Sequence, residues 1–203
     1  MPTPTPVDVL HAEYSELQSR YPATLTRDQI HSLHYYTAEI EFSRGLPADD
    51  HFPHYVAVWV RNLLALEVFV AREGRIPREN RRLPAGTISP EKKGLTYRIC
   101  AQRKAFADRR LSSYQERRLV CIPGFTFQPQ EDQWQANFLH YSNFADVHRR
   151  APRARSGDAS EKALATWAAK ARLAYWAGKL PQGRIDSLDD LTIWTWGNRK
   201  DHR

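Results

Sequence analysis

The sequence predicts an all-α chain of two tandem three-helix modules preceded by an N-terminal helical segment. Three observations carry this prediction. The stretch from Trp59 to Phe127 is restated from Trp134 to Trp196. Apolar residues recur at three- to four-residue spacing within each stretch. Cap residues open the periodic segments, and glycine or proline closes them.

The two copies first align at a constant shift of 75. Trp59, Asn62, Leu64, Phe69, Pro77 and Arg78 meet Trp134, Asn137, Leu139, Phe144, Pro152 and Arg153. After a loop six residues shorter in the second copy the shift becomes 69. Leu95, Arg103, Phe106, Leu111, Leu119, Phe125 and Phe127 then meet Leu164, Arg172, Tyr175, Leu180, Leu188, Trp194 and Trp196. A tandem duplication accounts for this register. The expected organisation is an acidic helical segment over 1–54 and three-helix repeats over 55–130 and 131–203. A module this small buries only a modest core, so neighbours are expected to pack together.

In the N-terminal segment, residues 2–6 alternate Pro and Thr and read as an extended tail. Val7 to Arg20 forms an amphipathic helix with Val9, Leu10, Tyr14 and Leu17 on one side, ended at Tyr21-Pro22. Thr26 caps a second helix running to about Arg44, with Ile30, Leu33, Tyr36 or Thr37, and Ile40 as its stripe, and Gly45 stops it.

The first repeat opens with a helix from about Tyr55 to Arg72, apolar over so much of its circumference that it is expected at the centre of a core. Gly74 ends it. A long loop follows, carrying Arg75, Arg78, Arg81 and Arg82. Ser89-Pro90-Glu91 starts the second helix, with Leu95, Ile99 and Phe106 inward. Ser112 or Ser113 caps a short third helix carrying Leu119; Pro123-Gly124 breaks it, and Phe125 and Phe127 form a tail over the core.

The second repeat restates this plan. Asp132 is expected to cap a helix with Trp134, Phe138, Tyr141 and Ala145 inward. Its loop, His148 to Gly157, again holds four arginines: Arg149, Arg150, Arg153 and Arg155. Ser160 is expected to cap an alanine-rich helix with Leu164, Trp167, Ala168, Ala171 and Tyr175 inward. Gln182 to Leu191 forms the short third helix, and Trp194-Thr195-Trp196 the tail.

The formal charge is +7, unevenly spread. Residues 1–57 hold three arginines against eight acids, whereas 58–130 hold 15 Lys and Arg against six acids, and 131–203 hold 12 against nine. An acidic head followed by basic repeats points to a polyanionic partner. No apolar run approaches the roughly 18 residues of a membrane span, and the start is no signal peptide, so a cytoplasmic location is expected, on the nucleoid if the partner is DNA. Cys100 and Cys121 have no CxxC or zinc-type spacing and read as reduced and buried. His31/His34 and His51/His54 form two HxxH pairs, but neither has the further ligands a metal needs, so no metal or cofactor is expected.

In these residues the repeat resembles the helicase-associated domain, a three-helix unit found in tandem behind bacterial helicase cores and in stand-alone proteins. The first copy carries Leu95, Gln102, Arg103, Phe106, Leu111 and Gly124-Phe125-Thr126-Phe127, with Arg98 where the pattern has Trp. The second carries Leu164, Trp167, Arg172, Tyr175, Gly178-Lys179-Leu180 and Trp194-Thr195-Trp196, with Ala171 in place of Gln and Ile193 in place of Gly. The resemblance covers both repeats and leaves the first 55 residues outside. It implies an all-α module that binds nucleic acid.

No phosphate-binding GxxxxGK[ST] loop accompanies the repeats, and no Ser or Cys nucleophile has a His and Asp context, so the chain reads as a non-enzyme. The leading reading is a DNA-binding protein. In it the loop arginines (Arg75, Arg78, Arg81, Arg82; Arg149, Arg150, Arg153, Arg155) contact phosphates. Lys92, Lys93, Arg98, Arg103 and Arg172 of the second helices reach phosphate or base edges. Arg103 and Arg172, matched between copies, equally suit a packing role. The alternative is a protein–protein adaptor or inhibitor whose acidic head docks on a partner, dimerises or folds back on its own repeats. Neutralisation of the loop arginines by acids such as Glu79, Glu91 or Asp146 favours that alternative. The aromatics Trp59, Trp134, Trp167, Tyr175, Trp194 and Trp196 recur at core spacing.

Overall fold

In a computed structural model, which describes residues 3–46, 52–78 and 87–197, the helices begin and end largely where caps and stops place them. Among the described residues there are eight α-helices, one short 3₁₀ turn and no strand: the chain is all-α. It divides into two compact units, Met1–Phe127 and Gln128–Arg203.

The first unit holds α1 (Pro6–Gln18), α2 (Arg27–Ser43), α3 (His54–Glu73), α4 (Pro90–Ala107) and α5 (Ser113–Val120). Thr5 and Pro6, expected in an extended tail, instead start α1. The Thr5 hydroxyl accepts from the Asp8 amide at 3.2 Å, the Asp8 carboxylate accepts from the Thr5 amide at 2.8 Å, and Pro6 needs no amide partner in the first turn. Thr26 and Gln29 make the same reciprocal cap on α2, and Ser112 and Gln115 on α5.

The faces these helices bury differ in part from their apolar stripes. On α1, Leu10 and Tyr14 are buried, but Val9 is 47% exposed. On α2 the buried side is Ser32, Tyr35, Tyr36, Ala38 and Glu39, with Ile30 outside it. The cause lies on α5, which brings polar groups to that side. The Ser32 hydroxyl accepts from the Tyr114 amide at 3.1 Å, and the Glu39 carboxylate accepts from the Tyr114 hydroxyl and from Arg118 Nε, both at 2.8 Å. Arg118 Nη2 continues to Glu67 on α3 at 2.7 Å, and His11 of α1 meets the Tyr114 hydroxyl at 3.0 Å. Arg118 and Glu39 are each 2% exposed. Burial works against the Glu39 charge, but His11, Arg118 and Tyr114 outweigh it and hold the carboxyl below its ordinary range.

Around this network lies one apolar core drawn from all five helices. α3 is central: Val56, Ala57, Trp59, Val60, Leu63, Leu66, Phe69 and Val70 are all buried. Contrary to the expectation of no span-length apolar run, α3 has the length and composition of one. Its place at the centre of this core accounts for its apolar character. Cys100 is exposed and Cys121 half-buried, so neither fills the buried position expected of it.

The second unit holds α6 (Pro129–His148), α7 (Ala159–Trp176) and α8 (Gln182–Asp189). These match α3, α4 and α5 in length, at 20, 18 and 8 residues, and at the same shifts of 75 and 69. Two caps differ from expectation. α6 starts at Pro129, which puts Asp132 in its first turn, and Asp158 caps α7 by accepting from the Ser160 and Glu161 amides. A carboxylate serves the helix dipole from either place.

The tails repeat atom for atom. Arg103 Nε donates to the Thr126 carbonyl at 2.8 Å, and Arg172 Nε to the Thr195 carbonyl at 2.7 Å. Phe127 stacks on Phe106 with centroids 4.1 Å apart, and Trp196 on Tyr175 at 3.9 Å. The left-handed positions repeat too, with the residues exchanged. Gly74 (φ 66°) corresponds to Arg149 (φ 52°), and Arg109 (φ 54°) to Gly178 (φ 65°).

Two predictions follow from this packing. Arg118→Ala strands the Glu39 carboxylate and is expected to lower the stability of the first unit by about 3–5 kcal/mol, measured by chemical denaturation. A loss below about 1 kcal/mol would show the pair to be dispensable. Arg149→Gly relieves a left-handed side chain and is expected to raise the stability of the second unit by about 1 kcal/mol in the same measurement.

Candidate nucleic-acid interface

After α3, Gly74 takes the left-handed C-cap and its amide donates to the Val70 carbonyl at 2.8 Å. The chain then buries Ile76 and Pro77, Ile76 lying against Gly124. Arg75 and Arg78, on either side of that anchor, are exposed, with no side-chain partner among the described residues. Arg81, Arg82 and Glu79 lie outside the described residues.

The second loop is organised by an acid the sequence reading passed over. Glu161, 6% exposed at the start of α7, pairs with both terminal nitrogens of Arg150. It also accepts from the Arg153 amide and the Ser156 hydroxyl, both at 2.8 Å. The Arg150 guanidinium, with the Arg153 amide and Ser156 hydroxyl behind it, holds the Glu161 carboxyl down to about 2. Arg150 also lies 5.1 Å from the Phe144 ring centroid. It is therefore a strut of the loop. Arg149, Arg153 and Arg155 are exposed, with side chains unpartnered among the described residues.

The second-helix candidates also separate. Lys93 is exposed and Lys92 half-buried near the start of α4, and Arg98 is exposed further along. Lys93 has an exposed counterpart in Lys162, whereas Lys92 is matched by Glu161 and Arg98 by Trp167. Arg103 and Arg172 clamp the tails, Arg172 lying 4.5 Å from the Trp194 ring centroid and Arg103 5.7 Å from that of Phe125. The Nε of each donates to a backbone carbonyl of its tail. Gln102 accepts from the Trp59 indole at 3.2 Å. In the second repeat Ala171 removes that acceptor, and the Arg184 guanidinium lies 4.5 Å from the Trp134 ring centroid.

Among the described residues, three acids of the head meet α5. Glu13 pairs with Arg117 at 2.6 Å, Glu39 with Arg118, and Asp28 accepts from the Ser113 amide at 3.2 Å. Glu91 pairs with Arg72 of α3 at 2.9 Å, and Asp146 has no partner among the described residues. Trp59, Trp134 and Trp194 are buried, Trp167 packs against that core, and Tyr175 and Trp196 stack on each other. Among the described residues no group of three or more His, Cys, Asp or Glu could hold a metal ion.

Glu161 gives the second unit a pH dependence of definite sign. Its pKa is depressed from an ordinary 4.5 to about 2, so its contribution is complete above 4.5 and lost as pH falls through that interval. Five of the six tryptophans lie in the second unit, so tryptophan emission reads it directly. An acid transition between pH 4.5 and 2 is expected in the wild type and absent from Glu161→Gln; an identical transition in both overturns this role. In comparison with known proteins, the chain matches no family model, no curated protein and no solved structure.

Proposed function

We propose that this chain is a non-enzymatic nucleic-acid-binding protein, with double-stranded DNA the favoured ligand and the helicase-associated domain the module it resembles. The observation that carries the reading is a repeated pair of exposed cations. Arg78 and Arg153 follow the first helix of each repeat, and Lys93 and Lys162 lie near the start of the second. All four side chains lack a partner among the described residues, and each pair keeps the register of the duplication. Equivalent cations in tandem units suit a ligand whose charge also repeats, as a phosphate backbone does.

Arg75, Arg149 and Arg155 add donors beside these stations, and Lys92 and Arg98 extend the first along α4. Arg103, Arg150 and Arg172 contribute by holding tails and loop in place. Glu13, Asp28 and Glu39 of the head are engaged within the chain by α5, which favours this reading over an adaptor that presents those acids to a partner.

Binding of a labelled 30-base-pair duplex across a salt series tests the proposal. With six to ten phosphates engaged, affinity falls by about 10³- to 10⁵-fold between 50 and 200 mM salt. Arg78→Ala with Arg153→Ala is expected to flatten the log–log slope by about two. Arg172→Met is expected to lower stability and leave the slope unchanged. No binding at 50 mM salt, or an unaltered slope in the double variant, rejects the proposal.

A further inference from the structure

The first unit carries a second basic surface, far from Arg75 and Arg78. Arg27 at the start of α2, and Arg109 and Arg110 after α4, converge with His31, His34 and Tyr55 on a groove of about 680 Å³. We propose that this groove binds one unpaired nucleotide of a nucleic-acid strand, its phosphate on Arg27 and Arg109 and its base against Tyr55. The inference rests on the nucleic-acid reading and assigns it a site for a non-duplex element.

Among the described residues, Asp28 is the only carboxylate in the groove wall, and that side chain accepts from the Ser113 amide at 3.2 Å. Asp108, behind the wall, pairs with Arg110 at 2.9 Å and with Lys104 at 3.2 Å. Arg27 and Arg109 are exposed and have no side-chain partner among the described residues. Two guanidiniums lining one groove suit a phosphate, which takes planar multi-donor ligands.

Arg109 is also in the wrong backbone region for its type. Its amide donates to the Phe106 carbonyl and the Arg110 amide to that of Ala105. Gly178 and Lys179 close α7 with the same two bonds to Tyr175 and Ala174. The second copy thus fills this left-handed site with the residue that fits it, and the first puts an exposed arginine there. The packing gains nothing from that side chain, whereas the groove gains a cation.

The apolar part of the groove suits a base. Tyr55 is 56% exposed and Ile30 44% exposed. Behind them, Tyr55 meets Tyr35 at 6.5 Å, and Tyr35 meets Trp59 at 5.1 Å, so a rigid aromatic series supports the exposed ring. Stacking on such a ring does not depend on base identity. A groove of this size is also within the range of small-ligand sites. Because α2 forms one wall, the groove belongs to the first unit only. It flanks the start of α3, whereas Arg75 and Arg78 follow its end, about 28 Å away along the helix axis.

The test compares a blunt 30-base-pair duplex with the same duplex carrying a three-nucleotide overhang, and with the free trinucleotide, on the full chain. The overhang is expected to tighten binding at least about fivefold. Arg109→Gly is expected to abolish that gain, leaving blunt-duplex affinity unchanged and the thermal midpoint equal or higher. Tyr55→Ser should reduce the gain as well. If the blunt duplex binds and the overhang adds nothing, or if Arg109→Gly keeps the full gain, the groove is not the site while the loop reading stands. If the trinucleotide and overhang bind but the blunt duplex does not, the groove stands without the loops. If none binds, both readings fall.

Discussion

The first unit depends on the Glu39–Arg118 pair. Two full charges, each almost wholly removed from water, are unfavourable to bury, and only their mutual contact and the surrounding donors make the arrangement tolerable. That requirement is geometric: Glu39 must face α5, which fixes the rotation of α2 about its own axis. Rotation of α2 then determines that Ser32 meets the Tyr114 amide, that Tyr35 and Tyr36 enter the core and that Ile30 and His34 lie outside. An apolar interface accepts several rotations at similar energy, whereas a buried ion pair accepts very few. Glu67 on α3 and His11 on α1 extend the same constraint to the other helices of the unit.

The second repeat shows what α5 looks like without that partner. At the shift of 69, Tyr114 becomes Gly183 and Arg118 becomes Ser187, and neither Gly183 nor Ser187 is buried. The conserved features are those internal to each three-helix unit: helix lengths, the Arg103 and Arg172 clamps, the paired tail aromatics. Tyr114 and Arg118, divergent between the copies, meet the N-terminal helices in the first copy only. The head is therefore part of the fold of the first unit, and Glu13 and Glu39 act as counter-charges within that unit.

Much of this was legible in the sequence. Helix type, order and repeat register follow from local spacing and from Gly74, Gly178 and Ser89, because those signals act within a turn or two of the chain. Caps are less secure where several acceptors compete: Asp132, Asp158 and Ser160 all suit a first turn, and only the path of the preceding loop selects among them. The buried face of α2 was legible only in part: Tyr36 is buried and Leu33 and Ile40 pack against the core, while Ile30 lies outside. Ser32 and Glu39 carry no apolar signal, and α5 draws them inward with Tyr114 and Arg118 from some 80 residues away. Arginine is the least legible residue of all, since the same side chain serves as a phosphate ligand, a loop strut or a tail clamp. The repeat register singles out Arg153 as the match of Arg78, but nothing in the sequence separates the roles of Arg150 and Arg155. One carboxylate, Glu161, takes Arg150 by its side chain and Arg153 by its amide and leaves Arg155 outside.

The exchange of glycine and arginine at the left-handed positions separates the needs of the backbone from those of the surface. Both copies require φ near +60° after the first helix and again after the second, since a helix that ends so sharply must close its last carbonyls from a reversed residue. Glycine meets that need without strain, and each copy uses it at one of the two sites. Arginine at the other site carries a conformational cost that no contact in its own unit offsets, for both Arg109 and Arg149 are exposed. Strain at an exposed cation has no explanation in folding. The proposed binding role supplies one: a guanidinium held on a reversed turn projects from a rigid helix end with little freedom left to lose.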